Sequence, residues 1–283
     1  MKKLEEYIAE AYDTKSNKST VQPKNKTELK KIIKDAFAHK QYDLNFIDTS
    51  KIADMSNLFE YCEHDFDVSS WDVSKVKYMS YIFYNCIKFK GKGLENWNVS
   101  NVTDMRFMFS GCDKFDCDLS RWDVSNVTYM NGIFSFCYKF EGKGLENWDV
   151  STVNSMYAMF LNCKNFNADL SQWNVSNVTD MNHMFFCCEN FDIKCFESWD
   201  VSNVTDMTSM FAFCNKFDCD LSNWDVSNVT GMYFMFGHCK QFNCDLSCWN
   251  TSKVKDMKDM FTGCNRLTIP DWYMRIMNAT KYN

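Results

Sequence analysis

Apolar residues recur along this chain in a fixed order, at intervals of 25 or 26 residues. Each clear copy starts at a tryptophan, and these are Trp71, Trp97, Trp122, Trp148, Trp173, Trp199, Trp224 and Trp249. A more divergent copy begins near Ile47, which gives nine units from Ile47 to about Leu267. Self-similarity at such a period is the signature of proteins built from stacked repeats.

Two hydrophobic spacings alternate inside a unit. Leu221, Trp224 and Val226 follow an L-x-x-W-x-V spacing, which is typical of the short strand in leucine-rich repeats. Numbered from the Trp as zero, the offsets 8, 11, 12 and 15 then carry Met, Met, Phe and Cys in the unit of Trp224. This is the i, i+3, i+4, i+7 pattern of an amphipathic helix. It predicts helices over Met105–Cys112, Met156–Cys163, Met207–Cys214 and their equivalents.

The combined pattern predicts an α/β repeat solenoid. The expected architecture is a leucine-rich-repeat-like stack of nine strand–turn–short helix units, with a parallel sheet on one face and capped ends, because a single unit cannot bury its own apolar face. We divide the chain into an N-terminal helical cap with a flexible polar stretch (1–46), the solenoid (47–267) and a C-terminal cap (268–283). Thr27 is the predicted N-cap of the first capping helix.

The motif WDVSNVTDM…MF…C…F…DLS resembles the bacterial surface protein repeat, a BspA-like relative of leucine-rich repeats. The resemblance extends from Ile47 to about Leu267. It implies a leucine-rich-repeat-like fold and no catalytic residues. It also implies adhesion and host contact, because members of that family are often exported or lipid-anchored surface proteins.

Cysteine is abundant, with 15 residues in the chain. Nine share offset 15, in the same apolar stripe as Met and Phe, which favours small buried residues with reduced thiols. Cys219 and Cys244 both stand at offset 20 in adjacent units. The sequence is compatible with a disulfide or a metal site between these two cysteines. It contains neither a C-x-x-C pair nor a partnered His that would support a zinc site.

Offset 1 carries Asp or Asn in every unit, and offset 3 carries Ser. One interpretation is an acidic row for calcium or a basic partner. The favoured interpretation is a turn in which the Asp or Asn side chain bonds to nearby backbone, since both residue types share a short acceptor. The tripeptides NVT and NVS that follow match the N-glycosylation acceptor, but the repeat consensus explains them.

Charge and composition exclude several classes of function. The net charge of −6 gives no basic surface for nucleic acid. No apolar run is long enough to insert into a membrane. Glu5, Glu6 and Glu10 interrupt the segment where a signal peptide needs its apolar run, which predicts a cytoplasmic location, with the cell surface as the alternative implied by the resemblance.

The sequence predicts a non-enzymatic protein-interaction module, without cofactor, metal or catalytic group. Its partner is expected where units differ, either on the polar strand positions before each Trp, with a slight preference, or on helix aromatics of the opposite, convex side. The alternatives are a self-assembling structural protein and a surface adhesin. The candidate partner surface comprises Arg121, Gln172, Asn223, Phe107, Tyr233 and Phe234.

Overall fold

The computed structural model describes residues 20–192 and 196–280. Helix α1 spans Lys26–Ala38 and helix α2 spans Asp271–Thr280, with two short 3-10 turns at Leu94–Asn96 and Leu145–Asn147 between them. Within the described ranges the units are joined by isolated parallel bridges rather than strands. The predicted parallel sheet, and with it the α/β solenoid, is therefore wrong.

The predicted helices inside the units are also wrong. Over Met105–Cys112 every second backbone N–H leaves its own unit and donates to a carbonyl of the next unit. Met105 N donates to Tyr129 O at 2.9 Å, and Phe107 N donates to Asn131 O at 2.9 Å. Of the alternate N–H groups, those at offsets 11, 13 and 15 donate to the carbonyl three residues back within the unit, whereas Arg106 N donates to Asp104 Oδ1 at 3.0 Å. We call offsets 7–14 of each unit the ladder segment.

Backbone conformation explains why the ladder segment does not form a helix. Two residues per unit, at offsets 10 and 14, have positive φ, in a region that L-residues rarely enter and that breaks a right-handed helix. Each such residue reverses the local winding, so the backbone turns its N–H groups toward the neighbouring unit. In three of these positions the residue is glycine: Gly111, Gly132 and Gly263.

The predicted apolar stripe is nevertheless buried, because the alternating turns direct the same side chains inward. Phe109 lies between Phe83 and Phe134, with ring centroids 5.5 and 5.7 Å away. The eight tryptophans at offset 0 form an inward column, each no more than 5% exposed. The Nε1 group of each of these tryptophans also donates to the carbonyl three residues before the preceding repeat start, as from Trp122 to Leu94 O at 2.8 Å.

Polar side chains close the turn between the Trp column and the ladder segment. The backbone N–H of each offset-3 Ser donates to the offset-1 side chain, as from Ser202 to Asp200 at 3.1 Å and from Ser176 to Asn174 at 3.1 Å. The predicted Asx turn is confirmed. The Asn of the NVT tripeptides also has a structural role, because its side-chain amide donates to the preceding unit, as from Asn177 to Ser151 O at 2.7 Å.

The offset-15 cysteines lie in the core, as predicted, except that Cys62 in the first unit is only half-buried. Cys137 Sγ donates to Phe109 O of the preceding unit at 3.0 Å, and burial raises the pKa of its thiol. Cys244 forms no disulfide, and its sulfur instead accepts from Leu221 N at 3.1 Å. Cys195 lies outside the described residues.

The two helices lie against opposite ends of the stack. Helix α1 buries Leu29, Ile33 and Ala36, and its N-cap is Asn25 instead of the predicted Thr27. Asn25 Oδ1 accepts from Glu28 N at 3.0 Å. At the other end, Trp272 Nε1 donates to Leu246 O at 2.8 Å, which repeats the bond of the Trp column. The first half of the predicted polar stretch, residues 13–19, lies outside the described ranges.

Candidate interaction surface

The three predicted partner residues that directly precede a Trp are all exposed. Arg121, Gln172 and Asn223 occupy the same offset in different units, so they belong to one polar row along the stack. Arg121 Nη1 donates to Asn96 Oδ1 at 3.4 Å. Asn96 precedes Trp97 as Arg121 precedes Trp122, so the bond connects the same position of successive repeats. Without a sheet, this row is not the concave strand face that the sequence predicted.

The aromatic candidates divide into two kinds. Tyr233 is 40% exposed, but Phe107 and Phe234 are half-buried, so their predicted exposure is wrong. Phe107 stacks on Tyr81 with centroids 5.2 Å apart, and it also covers Gly132, where a Cβ atom would lie 2.3 Å from Phe107 Cε1. The positive φ at offset 10 turns such rings against the neighbouring unit.

Phe234 belongs to a cluster of rings that crosses several units. It lies 5.6 Å from Phe213 and 5.8 Å from His238 between ring centroids, and Phe213 stacks on His238 at 4.9 Å. Phe213 in turn contacts Phe186 at 5.5 Å. These contacts fix the rings, so Phe234 supports Tyr233 more than it offers a free anchor.

A wider aromatic surface lies on the ladder segment. Equal offsets of successive units lie one above another in the stack, because each ladder segment bonds to the next. Contacts link different offsets as well: the Arg106 guanidinium at offset 9 lies over the Tyr129 ring at offset 7, and Tyr233 at offset 9 is connected through Phe234 to Phe213 at offset 14. We call the surface formed by the exposed rings at offsets 7, 9 and 14 the ladder face. Its exposed aromatic residues are Tyr61, Tyr78, Tyr129, Phe136, Tyr157 and Tyr233.

The ladder face also carries paired charges. Arg106 forms an ion pair with Asp104 at 2.7 Å, and its guanidinium lies 5.1 Å from the ring centroid of Tyr129. Hydrogen bonding to Asp104 raises the pKa of Arg106. Arg106 and Tyr129 were not among the residues predicted from the sequence. A comparison of offsets 7 and 9 across units would have found them.

Among the described residues, no group of three or more His, Cys, Asp and Glu side chains is placed to hold a metal ion. Over the same ranges no helix is long and apolar enough to cross a membrane. The distinctive chemistry of the site is thus aromatic and polar surface on a regular backbone.

The repeated bonds and repeated side-chain rows define a tandem-repeat protein. The chain belongs to the family described as Mycoplasma protein of unknown function, DUF285, whose model matches residues 3–141, 108–197, 131–222 and 188–282. The overlapping matches agree with tandem copies of one repeat. No curated protein matches the chain. No solved structure matches it either.

Proposed function

We propose that this protein is a non-enzymatic interaction module that binds a protein partner through the ladder face. The observation that supports this most directly is that six aromatic rings on the ladder segments of different units are exposed. Exposed aromatic clusters mark interaction surfaces, and tyrosines supply large contact areas with a polar group at the edge. The polar row of Arg121, Gln172 and Asn223 is the second candidate surface.

Two sets of substitutions in the full chain distinguish the surfaces. The first replaces Tyr129, Tyr157 and Tyr233 by Ser, and the second replaces Arg121, Gln172 and Asn223 by Glu. All six side chains are exposed, so both variants should keep the wild-type melting temperature. Partners captured by wild-type protein from lysates of the native cells should be lost by the tyrosine variant and kept by the other.

If only the polar-row variant fails to capture the partners, the binding site lies on that row. If both variants still capture them, the surface assignment is refuted. The self-assembling alternative predicts ordered polymers of the purified chain and no captured partner. The resemblance of the repeat motif to the BspA-like bacterial surface protein repeat supports the adhesin alternative. Fractionation of native cells tests it, since an adhesin is found at the surface and an intracellular module in the cytosol.

A further inference from the structure

The first repeat unit presents a backbone edge that no preceding unit covers. In later units the carbonyls of offsets 9, 11 and 13 accept N–H groups from the unit before, as Ile82 O accepts from Phe59 N at 2.8 Å and Tyr84 O accepts from Tyr61 N at 2.7 Å. The equivalent carbonyls in the first unit belong to Ser56, Leu58 and Glu60. Within the described ranges no hydrogen bond reaches them. Such an edge is a template for a further chain segment.

Helix α1 covers the core of this end but stands away from the edge. A groove of about 800 Å³ lies between the helix and residues 58–64 of the first unit. Phe37 on the helix and Leu58 and Phe59 on the unit form its apolar lining, and Tyr61 at its border is 62% exposed. The lining of the groove thus includes apolar side chains and two residues, Leu58 and Glu60, whose carbonyls accept no hydrogen bond from the described residues.

The helix side of the groove is strongly basic. Lys26, Lys30, Lys31 and Lys34 all line it, and Lys26 pairs with Asp54 at 3.0 Å. The other three lysines form no ion pair with any described residue. On the opposite wall, Glu60 and Glu63 provide negative charge. An occupant should thus place carboxylates toward α1 and uncharged side chains toward the first unit.

A second whole copy of the chain does not suit this edge. The open end of the last unit carries helix α2, and the open end of the first carries α1. A helix with its side chains is about 10 Å thick. Rungs joined by backbone hydrogen bonds are only about 4.8 Å apart. Stacked ends would therefore force both helices into too small a space, whereas a single extended segment needs no such room.

We propose that the groove between α1 and the first unit binds an acidic, extended peptide segment of a partner protein. Its alternate N–H groups bond to the carbonyls of Leu58 and Glu60, which extends the ladder by one rung. Because side chains of an extended chain alternate in direction, acidic residues face Lys30, Lys31 and Lys34 while apolar residues enter the lining. The groove meets the ladder face at Tyr61. Tyr61 is changed in neither set of substitutions, so each proposal can fail without the other.

Fluorescence anisotropy with a labelled peptide of alternating Glu and Val tests the proposal on the full chain. The peptide should bind, and added salt should weaken binding because exposed charges are screened. A Lys-Val twin should not bind. Methylating the alternate amides of one phase should abolish binding, and methylating the other phase should not, because only one phase faces the carbonyl edge.

Charge reversal on the helix provides the matched protein variants. Lys30→Glu with Lys34→Glu should weaken binding by on the order of tenfold or more. Lys216→Glu with Lys240→Glu makes the same charge change on exposed lysines of distant units and should leave binding unchanged. Equal melting temperatures would show that both proteins are folded.

Three results would overturn the proposal. Equal binding of the Glu-Val and Lys-Val peptides would remove the charge argument. Full binding by both methylated peptides, one for each phase, would remove the ladder argument. Binding that appears only after Glu5, Glu6 and Glu10 are changed to Lys would identify the chain's own N-terminal segment as the occupant. Sedimentation that shows dimers dissociated by the peptide would identify a second copy instead.

Discussion

Single side chains replace the hydrogen bonds that regular secondary structure would otherwise supply. The offset-1 Asp or Asn closes one turn, the offset-4 Asn bonds to the preceding unit, and the offset-15 Cys donates to a buried carbonyl. Buried backbone groups need such partners, because an unsatisfied group costs about 1–3 kcal/mol. The near-identity of the units therefore reflects bonding roles as much as core volume.

The Asx turn gives a prediction about acid. Hydrogen bonds from the Ser202 hydroxyl and backbone N–H lower the pKa of Asp200, and the pKa values of Asp48, Asp72, Asp149 and Asp225 are lowered in the same way by their own serines. A folded-state pKa below the unfolded value of about 3.9 stabilises the protein above that pH. We expect this stabilisation to disappear as the pH falls through the folded pKa.

Urea unfolding at neutral pH and near pH 3 measures the effect. Changing these five residues to Asn, which stands naturally at Asn98, Asn174 and Asn250, should leave neutral stability nearly unchanged and reduce the loss in acid. Asp200→Ala should cost about 1 kcal/mol at neutral pH and less near pH 3, since it removes an acceptor whose ionised form bonds more strongly. An unchanged acid response in the Asn variant would contradict the assignment.

At the scale of the repeated element, an apolar pattern with helical spacing occurs in a segment that is not helical. Met, Met, Phe and Cys at offsets 8, 11, 12 and 15 are buried in both arrangements. The pattern records which residues face inward, and it does not record where the backbone hydrogen bonds go. Positive φ at offsets 10 and 14 is the feature that distinguishes the observed backbone from a helix.

Asn162, at offset 14 with φ of 59°, tests this conformation. In a helix, Asn162→Gly would destabilise the protein by a few tenths of a kcal/mol or more. In the observed left-handed conformation, we expect Gly to be neutral or to stabilise by up to about 1 kcal/mol, as Gly111 and Gly263 occupy the same offset. Asn162→Val should cost about 1–2 kcal/mol, because a β-branched residue resists positive φ.

Chemical denaturation of the two variants gives the required free energies of unfolding. Leu161→Gly is the control, since Leu161 has no positive φ and the substitution should destabilise in either conformation. If Asn162→Gly destabilised the protein as much as Leu161→Gly, the left-handed assignment would fail.

At the scale of the whole molecule, stability is divided between the contacts inside units and those between neighbours, as expected for a stack. The ends are then the weakest points, and helices α1 and α2 cover the core there. Trp272 has a particular role, because its bond to Leu246 O continues the tryptophan column beyond the last unit. Its ring also lies 6.2 Å from Phe261 between centroids.

Removing this ring should therefore loosen one end before the centre. We expect Trp272→Ala to cost roughly 2 kcal/mol, less than a fully buried Trp because Trp272 is only half-buried. Amide hydrogen exchange should accelerate most in the last unit and least around Trp148. Trp272→Phe keeps most of the ring contact and should show a smaller loss. Uniform acceleration along the chain would contradict a local capping role.

The sequence by itself determined the repeat, its core residues and the Asx turn, because these depend on residue type and spacing within one unit. It also placed Arg121, Gln172 and Asn223 at exposed positions, since each precedes an inward Trp. Tertiary structure decided the rest. The alternation between bonds inside a unit and bonds to the next unit depends on a neighbour being present, and it replaced both the predicted sheet and the predicted helices. The same alternation places Phe107 and Phe234 against adjacent units and forms the ladder face. In the first unit it leaves backbone carbonyls beside α1 that accept no N–H group from the described residues.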